Sequence, residues 1–176
     1  MEEQPFPEAL QTLLNSLYAL AYRDYNHILV SRVYETRMLA LSGFAPALEN
    51  CAVCGKPIEP QTKHYFSIAE SGLLCHDGTC CRTEQDACVI SPGAIRALQY
   101  FISCPPKNLF QFQIQEDILA ELTKIIPRYL QYHMEKPYAK LREVERYRLF
   151  EQEMLYNLSV KKTAISQEAA KIPKTS

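Results

Sequence analysis

Apolar residues recur at helical spacing over most of this chain and break off in one long central stretch. Over residues 7–24, Leu10, Leu13, Leu14, Leu17 and Ala21 share a face, which predicts an amphipathic helix with its leucines in the core. Over residues 27–42, Val30, Val33, Tyr34, Arg37, Met38 and Leu41 keep the same period, and Gly43 with Pro46 shortly beyond marks the exit. Ser91 before Pro92 is a capped helix start; Ile95, Leu98, Phe101 and Ile102 then point inward until Cys104-Pro105-Pro106 ends the run. Residues 115–134 predict another helix, with Ile118, Leu119, Leu122, Ile125, Ile126, Tyr129, Leu130 and His133 inward. Pro127 is expected to kink or divide it. Residues 138–158 carry Leu141, Val144, Arg148 and Leu155 on one side of a last helix whose mixed charges form a solvated face. The polar stretch from Lys161 onward, with Pro173, predicts a disordered tail.

The central stretch, residues 47–88, is punctuated by proline, glycine and cysteine. Two short strand-like runs occur in it, His64–Ile68 and Gly72–Cys75, separated by a turn-length Ala-Glu-Ser, so a small hairpin is predicted. The expected fold is therefore mainly α: a helical, bundle-like domain with an inserted small four-cysteine zinc-binding β-hairpin module. The expected divisions are 1–46 and 89–160 for the two parts of the helical domain, 47–88 for the insert and 161–176 for the tail.

The cysteines give the insert its chemistry. In Cys51-x2-Cys54-x20-Cys75-x4-Cys80, two sulfur pairs flank a hairpin-length segment, a spacing that supplies four ligands to a tetrahedral zinc ion. Gly55 follows the second sulfur, where a tight turn needs a permissive backbone. The second pair has an unusually long spacer, and Cys81 competes with Cys80 for the fourth position; Cys80 is preferred because its spacer is the shorter. His64 and His76 are possible substitute ligands, although four thiolates already suffice. A closed set of four sulfurs leaves no place for water or substrate, which argues for a structural ion. The competing reading of Cys51 and Cys54 as a redox dithiol wants a helix starting there, and Gly55-Lys56-Pro57 cannot start one. Cys88 and Cys104 fall outside the pattern and are expected as small buried residues.

Composition narrows the class. Apolar residues make up 47% of the 176, enough for a packed body. No run approaches the roughly 18 apolar residues of a membrane span. The acidic start, MEEQPFPEAL, has no secretory core, so a reducing, cytoplasmic location is expected for the seven cysteines. A formal net charge of −1 excludes a globally basic nucleic-acid binder, leaving local patches or partners to make any such contact. Phosphate-cradling glycine loops, H-E-x-x-H and G-x-S-x-G are all absent, and acidic Glu116-Asp117 reads as helix N-terminal chemistry rather than an acid–base pair. No enzyme is expected.

Four segments together carry a family resemblance: Tyr34-Glu35-Thr36-Arg37-Met38-Leu39-Ala40-Leu41-Ser42-Gly43-Phe44-Ala45-Pro46, Cys51-Ala52-Val53-Cys54-Gly55, Gly72-Leu73-Leu74-Cys75 and Ile90-Ser91-Pro92-Gly93-Ala94. In that order and at those distances they resemble the bacterial RecO family of DNA repair proteins, over roughly residues 8–135. The resemblance implies a helical body with an inserted zinc module and a non-enzymatic role in recombination and repair. It implies binding of single- and double-stranded DNA, strand annealing, and action with a RecR-like protein and single-stranded-DNA-binding protein. Members normally begin with an OB-fold, and here the first helix is expected almost at Met1. Arg128, Lys136, Lys140 and Arg142 are candidates for holding the acidic, aromatic tail of single-stranded-DNA-binding protein. The alternative is an unrelated zinc-ribbon module for nucleic acid or protein, but the insert's Lys56, Lys63 and Arg82 are outnumbered by Glu59, Glu70, Asp77, Glu84 and Asp86.

Overall fold

The computed structural model describes residues 7–22, 25–59, 61–77, 79–80 and 87–134, all within one compact unit, Met1–Glu135. The helix expected over 138–158, the tail, Cys81, Lys136, Lys140 and Arg142 lie outside the described residues. Among the described residues there are four α-helices: α1 (Pro7–Tyr22), α2 (His27–Leu41), α3 (Pro92–Ser103) and α4 (Glu116–His133). Three short strands lie between α2 and α3: β1 (His64–Ser67), β2 (Gly72–Leu74) and β3 (Ala87–Ile90). The chain is mainly helical. No helix among the described residues is long and apolar enough to cross a membrane.

Local chemistry sets the helix ends. The Asn26 side chain accepts from the Ile28 N–H at the start of α2, and the Ser91 hydroxyl accepts from the Ala94 N–H at the start of α3. Pro92 occupies the first turn, where its missing N–H costs nothing. The Ser91 backbone N–H is itself held by Glu121 of α4 at 2.9 Å, which ties the α3 start to its neighbour. α4 runs through Pro127 as one element, so the proline does not divide it.

The core follows the expected stripes on α3 and α4; on α2, Val30, Val33 and Arg37 are buried as expected, Tyr34, Met38 and Leu41 are half-buried, and Leu29, Thr36 and Leu39 are buried instead. Val33 and Leu39 of α2, Ile95, Leu98 and Phe101 of α3, and Leu119, Leu122, Ile125, Ile126 and Tyr129 of α4 are buried together. On α1 the expectation fails. Its buried residues are Thr12, Ser16 and Ala19, while Leu10, Leu13, Leu14 and Leu17 are exposed. The face of α1 that is buried carries small side chains, and the Thr12 and Ser16 hydroxyls satisfy themselves on carbonyls one turn back, Glu8 and Thr12, at 2.8 Å each.

The strands form one antiparallel sheet in the order β2-β1-β3. Tyr65 pairs with Leu74 and Phe66 with Leu73 on one side; Phe66 pairs with Cys88 and His64 with Ile90 on the other. Phe66, Leu73 and Ile90 point from this sheet into the same hydrophobic cluster as the helices, and Phe66 meets the Tyr129 ring edge-on at 5.5 Å. β3 has no counterpart among the predicted strands. Its run Ala-Cys-Val-Ile is only four residues long and is set against β1 by tertiary pairing.

Candidate metal centre

The first sulfur pair sits on a backbone knuckle. The Cys51 N–H donates to the Lys56 carbonyl at 2.8 Å and the Gly55 N–H to the Cys51 carbonyl at 2.9 Å, with Gly55 at φ +73° in the left-handed region that glycine alone enters freely. No helix starts here. The Ala52 N–H donates to the Leu73 carbonyl, and Ala47 exchanges hydrogen bonds with Ser71 and Leu73, so the approach to the knuckle runs beside β2. Gly72 makes that approach possible: a Cβ there would lie 2.7 Å from both the Cβ and the carbonyl oxygen of Ala47. Cys75 follows β2 directly, which puts its sulfur beside the knuckle.

The result is a compact group of four thiols. One ligand atom from each of Cys51, Cys54, Cys75 and Cys80 lies within 4.8 Å of the others. The Cys54 and Cys75 sulfurs are 3.4 Å apart and those of Cys75 and Cys80 3.7 Å. A tetrahedral ion with bonds of about 2.3 Å to sulfur places its ligands about 3.8 Å apart, so this spacing suits a metal. It is far too long for a disulfide. The donor set is soft, thiolate-only and closed, which matches structural zinc rather than a catalytic ion.

Charge is distributed unevenly over the four. Burial works against ionisation of Cys51, but the Cys54 and Val53 backbone N–H groups and the thiols of Cys54 and Cys75 outweigh it and bring the thiol down to about 6. Cys75 moves the opposite way, raised first by the Cys54 thiol and then by burial, and Cys80 is raised as well. Four thiolates packed this closely repel one another. A divalent cation offsets that repulsion.

Neither histidine joins the sulfurs in this group. His64 is buried, with Nδ1 3.2 Å from the Leu74 carbonyl and Nε2 2.8 Å from the Glu59 carbonyl and 2.9 Å from the Thr62 hydroxyl. It braces the connection from the first knuckle against β2, one residue from Cys75. His76 meets its ring edge-on at 5.9 Å. The pattern of cysteines finds the sulfurs; nothing in the spacing marks His64 as their support, because its partners are carbonyl oxygens.

The remaining candidates lie elsewhere. Cys104 is buried under α3, and Cys88 is half-buried on β3 with the Arg128 guanidinium 3.3 Å from its sulfur. Arg128 is the one member of the proposed peptide-binding cations within the described residues, and it is exposed on α4. His133 lies among Phe44, Tyr129 and Tyr132, accompanied by the Ser71 hydroxyl at 3.1 Å, and burial holds its pKa below the usual value.

Residues 1–142 match the family described as Recombination protein O C terminal. The chain is 38% identical over 141 residues to the DNA repair protein RecO of Acetivibrio thermocellus, covering 80% of this chain and 55% of that protein. It is 31% identical over 135 residues to the proteins of the same name from Desulforamulus reducens and Dehalococcoides mccartyi, covering 77% of this chain and 51% of each relative. The chain thus spans about half the length of the curated relatives it matches. With its capped α3, its knuckle and its shared core all inside the matched segment, this chain belongs to the RecO C-terminal family.

Proposed function

We propose that this chain is the zinc-holding helical part of a non-enzymatic mediator of recombination and DNA repair, acting as a scaffold for DNA and protein partners. Family membership over residues 1–142 is the observation that carries the repair role. The four thiols carry the scaffold reading, because Cys51, Cys54, Cys75 and Cys80 would fill a zinc ion's coordination and leave no site for chemistry. Zinc bound there would supply a cross-link between the knuckle and the segment after β2. The chain's own residues then do the rest: His64 and Gly72 keep the two sulfur-bearing segments in register.

The partners proposed are DNA, a RecR-like protein and single-stranded-DNA-binding protein, in a reducing, cytoplasmic setting. Arg128, exposed on α4 one turn before the exposed Tyr132 ring, supports docking of an acidic, aromatic peptide through charge and apolar burial. The test is fluorescence anisotropy with a labelled single-stranded oligonucleotide, a RecR-like protein and the acidic tail peptide, at two salt concentrations. Oligonucleotide binding that weakens steeply with salt would show direct phosphate contacts. Loss of all three interactions at low salt would remove the mediator reading.

One observation favours a second reading. The lowered Cys51 thiol is also a property of dithiol oxidoreductases. In those proteins two sulfurs sit at a helix start, whereas here four sulfurs gather around a turn. Turnover of a disulfide substrate by zinc-free chain would support the redox reading. Retention of zinc without turnover supports the scaffold.

A further inference from the structure

The four thiols are unequally exposed. Cys54 is open to solvent on the knuckle, with Val53, Gly55 and Lys56 exposed around it. Cys51 is only 3% exposed, and Cys75 and Cys80 are half-buried. Access and thiolate character decide which sulfur an oxidant in solution attacks, and zinc-bound sulfurs are all thiolates. A small polar oxidant therefore meets Cys54 first.

Distance then chooses its partner. The Cys54 sulfur lies 3.4 Å from that of Cys75. A disulfide needs about 2.05 Å, so closing this gap asks for about 1.4 Å of movement. The backbones that carry the two sulfurs are already held side by side. The Ala52 N–H donates to the Leu73 carbonyl at 2.8 Å, and the Leu73 N–H donates to the Ala47 carbonyl at 2.9 Å. Sequence spacing alone would pair Cys54 with Cys51, two residues away across the turn. The fold offers a link between segments instead, and the sulfur of Cys51 sits on the buried side of the group.

We propose that the four-thiol centre is a peroxide-responsive site, in which Cys54 is oxidised and joined to Cys75 while the metal is given up. The release of metal rests on the zinc reading above. The Cys54 thiolate takes one oxygen from hydrogen peroxide, the O–O bond breaks, and hydroxide leaves. The Cys75 thiolate attacks the resulting sulfenic acid; the S–S bond forms, the S–O bond breaks, and a second hydroxide leaves. Two electrons pass from the sulfur pair to the peroxide. Cys51 and Cys80 remain as two ligands, half of a tetrahedral set. The new bond joins the two segments that the ion would have linked, so metal is lost while the knuckle keeps its register on β2. A thiol reductant reopens the bond and restores the four donors.

The experiment treats the zinc-loaded full chain, freed of reductant, with hydrogen peroxide. Zinc release is followed with a zinc-responsive dye, and disulfides are mapped by mass spectrometry after the remaining thiols are alkylated. The expected result is loss of the bound zinc together with a Cys54–Cys75 link, and recovery of zinc binding after reductant is added. The oxidised chain should also melt above the reduced chain stripped of metal by chelation. A Cys51–Cys54 link, any other dominant pairing, or full retention of zinc in excess peroxide overturns the proposal. An oxidised chain that melts no higher than the stripped one does the same, because the bridge would then not replace the ion. A chain that holds no zinc at the outset overturns the metal reading itself; the Cys54–Cys75 link mapped in that chain still supports the pairing, and another link still defeats it.

Discussion

Arg37 is almost fully buried, yet its guanidinium donates to the Phe101 carbonyl at 3.2 Å, to the Ile102 carbonyl and to the Glu8 carboxylate. One side chain on α2 thereby satisfies carbonyls in the last turn of α3 and holds the start of α1. Arg37→Ala is expected to lower stability by about 2–4 kcal/mol, because charged hydrogen bonds are lost and carbonyls are left buried. Glu8→Gln should cost well under half of that, since Glu8 is half exposed and water can replace its partner. Urea denaturation of both variants checks the pair; equal losses would mean that the ion pair and not the carbonyl contacts carries the effect. At this scale the sequence is legible where chemistry repeats a spacing, as with Cys51 and Cys54. It is silent about the roles of Arg37, which acts on carbonyls more than sixty residues away, and of His64, which acts mainly on the nearby Glu59 and Leu74 carbonyls, and a backbone oxygen has no letter.

Among the elements, helix limits were readable from caps and breakers: Ser91 with Pro92, Gly43 and Pro105 each fall where the structure changes direction. The inward face of α1 was not. Hydrophobic periodicity says that a helix has an apolar side, not that the side belongs to this molecule's core. β3 escaped for a different reason, since a four-residue strand owes its form to the partner it pairs with. Gly72 is where these elements press closest. Gly72→Ala would drive a methyl into the Cβ and carbonyl of Ala47, both without freedom to yield. A loss of about 1–3 kcal/mol is expected. Gly93→Ala is the control, because a Cβ there meets only the end of the Ile118 side chain, which can rotate away. Thermal melts of the two variants should differ clearly, and similar melting temperatures would mean that the Ala47 strand approach relaxes at little cost.

For the molecule as a whole, sheet and helices share one hydrophobic cluster, so the segment that carries the four thiols is coupled to the body through Phe66, Leu73 and Ile90. One zinc ion per chain is expected by elemental analysis, with loss of zinc in Cys80→Ser and retention in Cys81→Ser. Chelation should then lower the melting temperature by at least about 5 °C in a single transition, because loss of register at β2 is felt in the core. An unchanged melt after metal removal would exclude a structural ion at the four thiols. The connectivity has a kinetic corollary. α2 and α3 pack directly on one another, but residues 42–91 separate them, so their docking requires closure of a long loop. For about 50 residues that closure costs roughly 3.5 kcal/mol of chain entropy, beyond a constant. An ion held by Cys51, Cys75 and Cys80 would shorten the span still to be searched, so that with metal bound the small loop would close first and the helices would find each other across what is left.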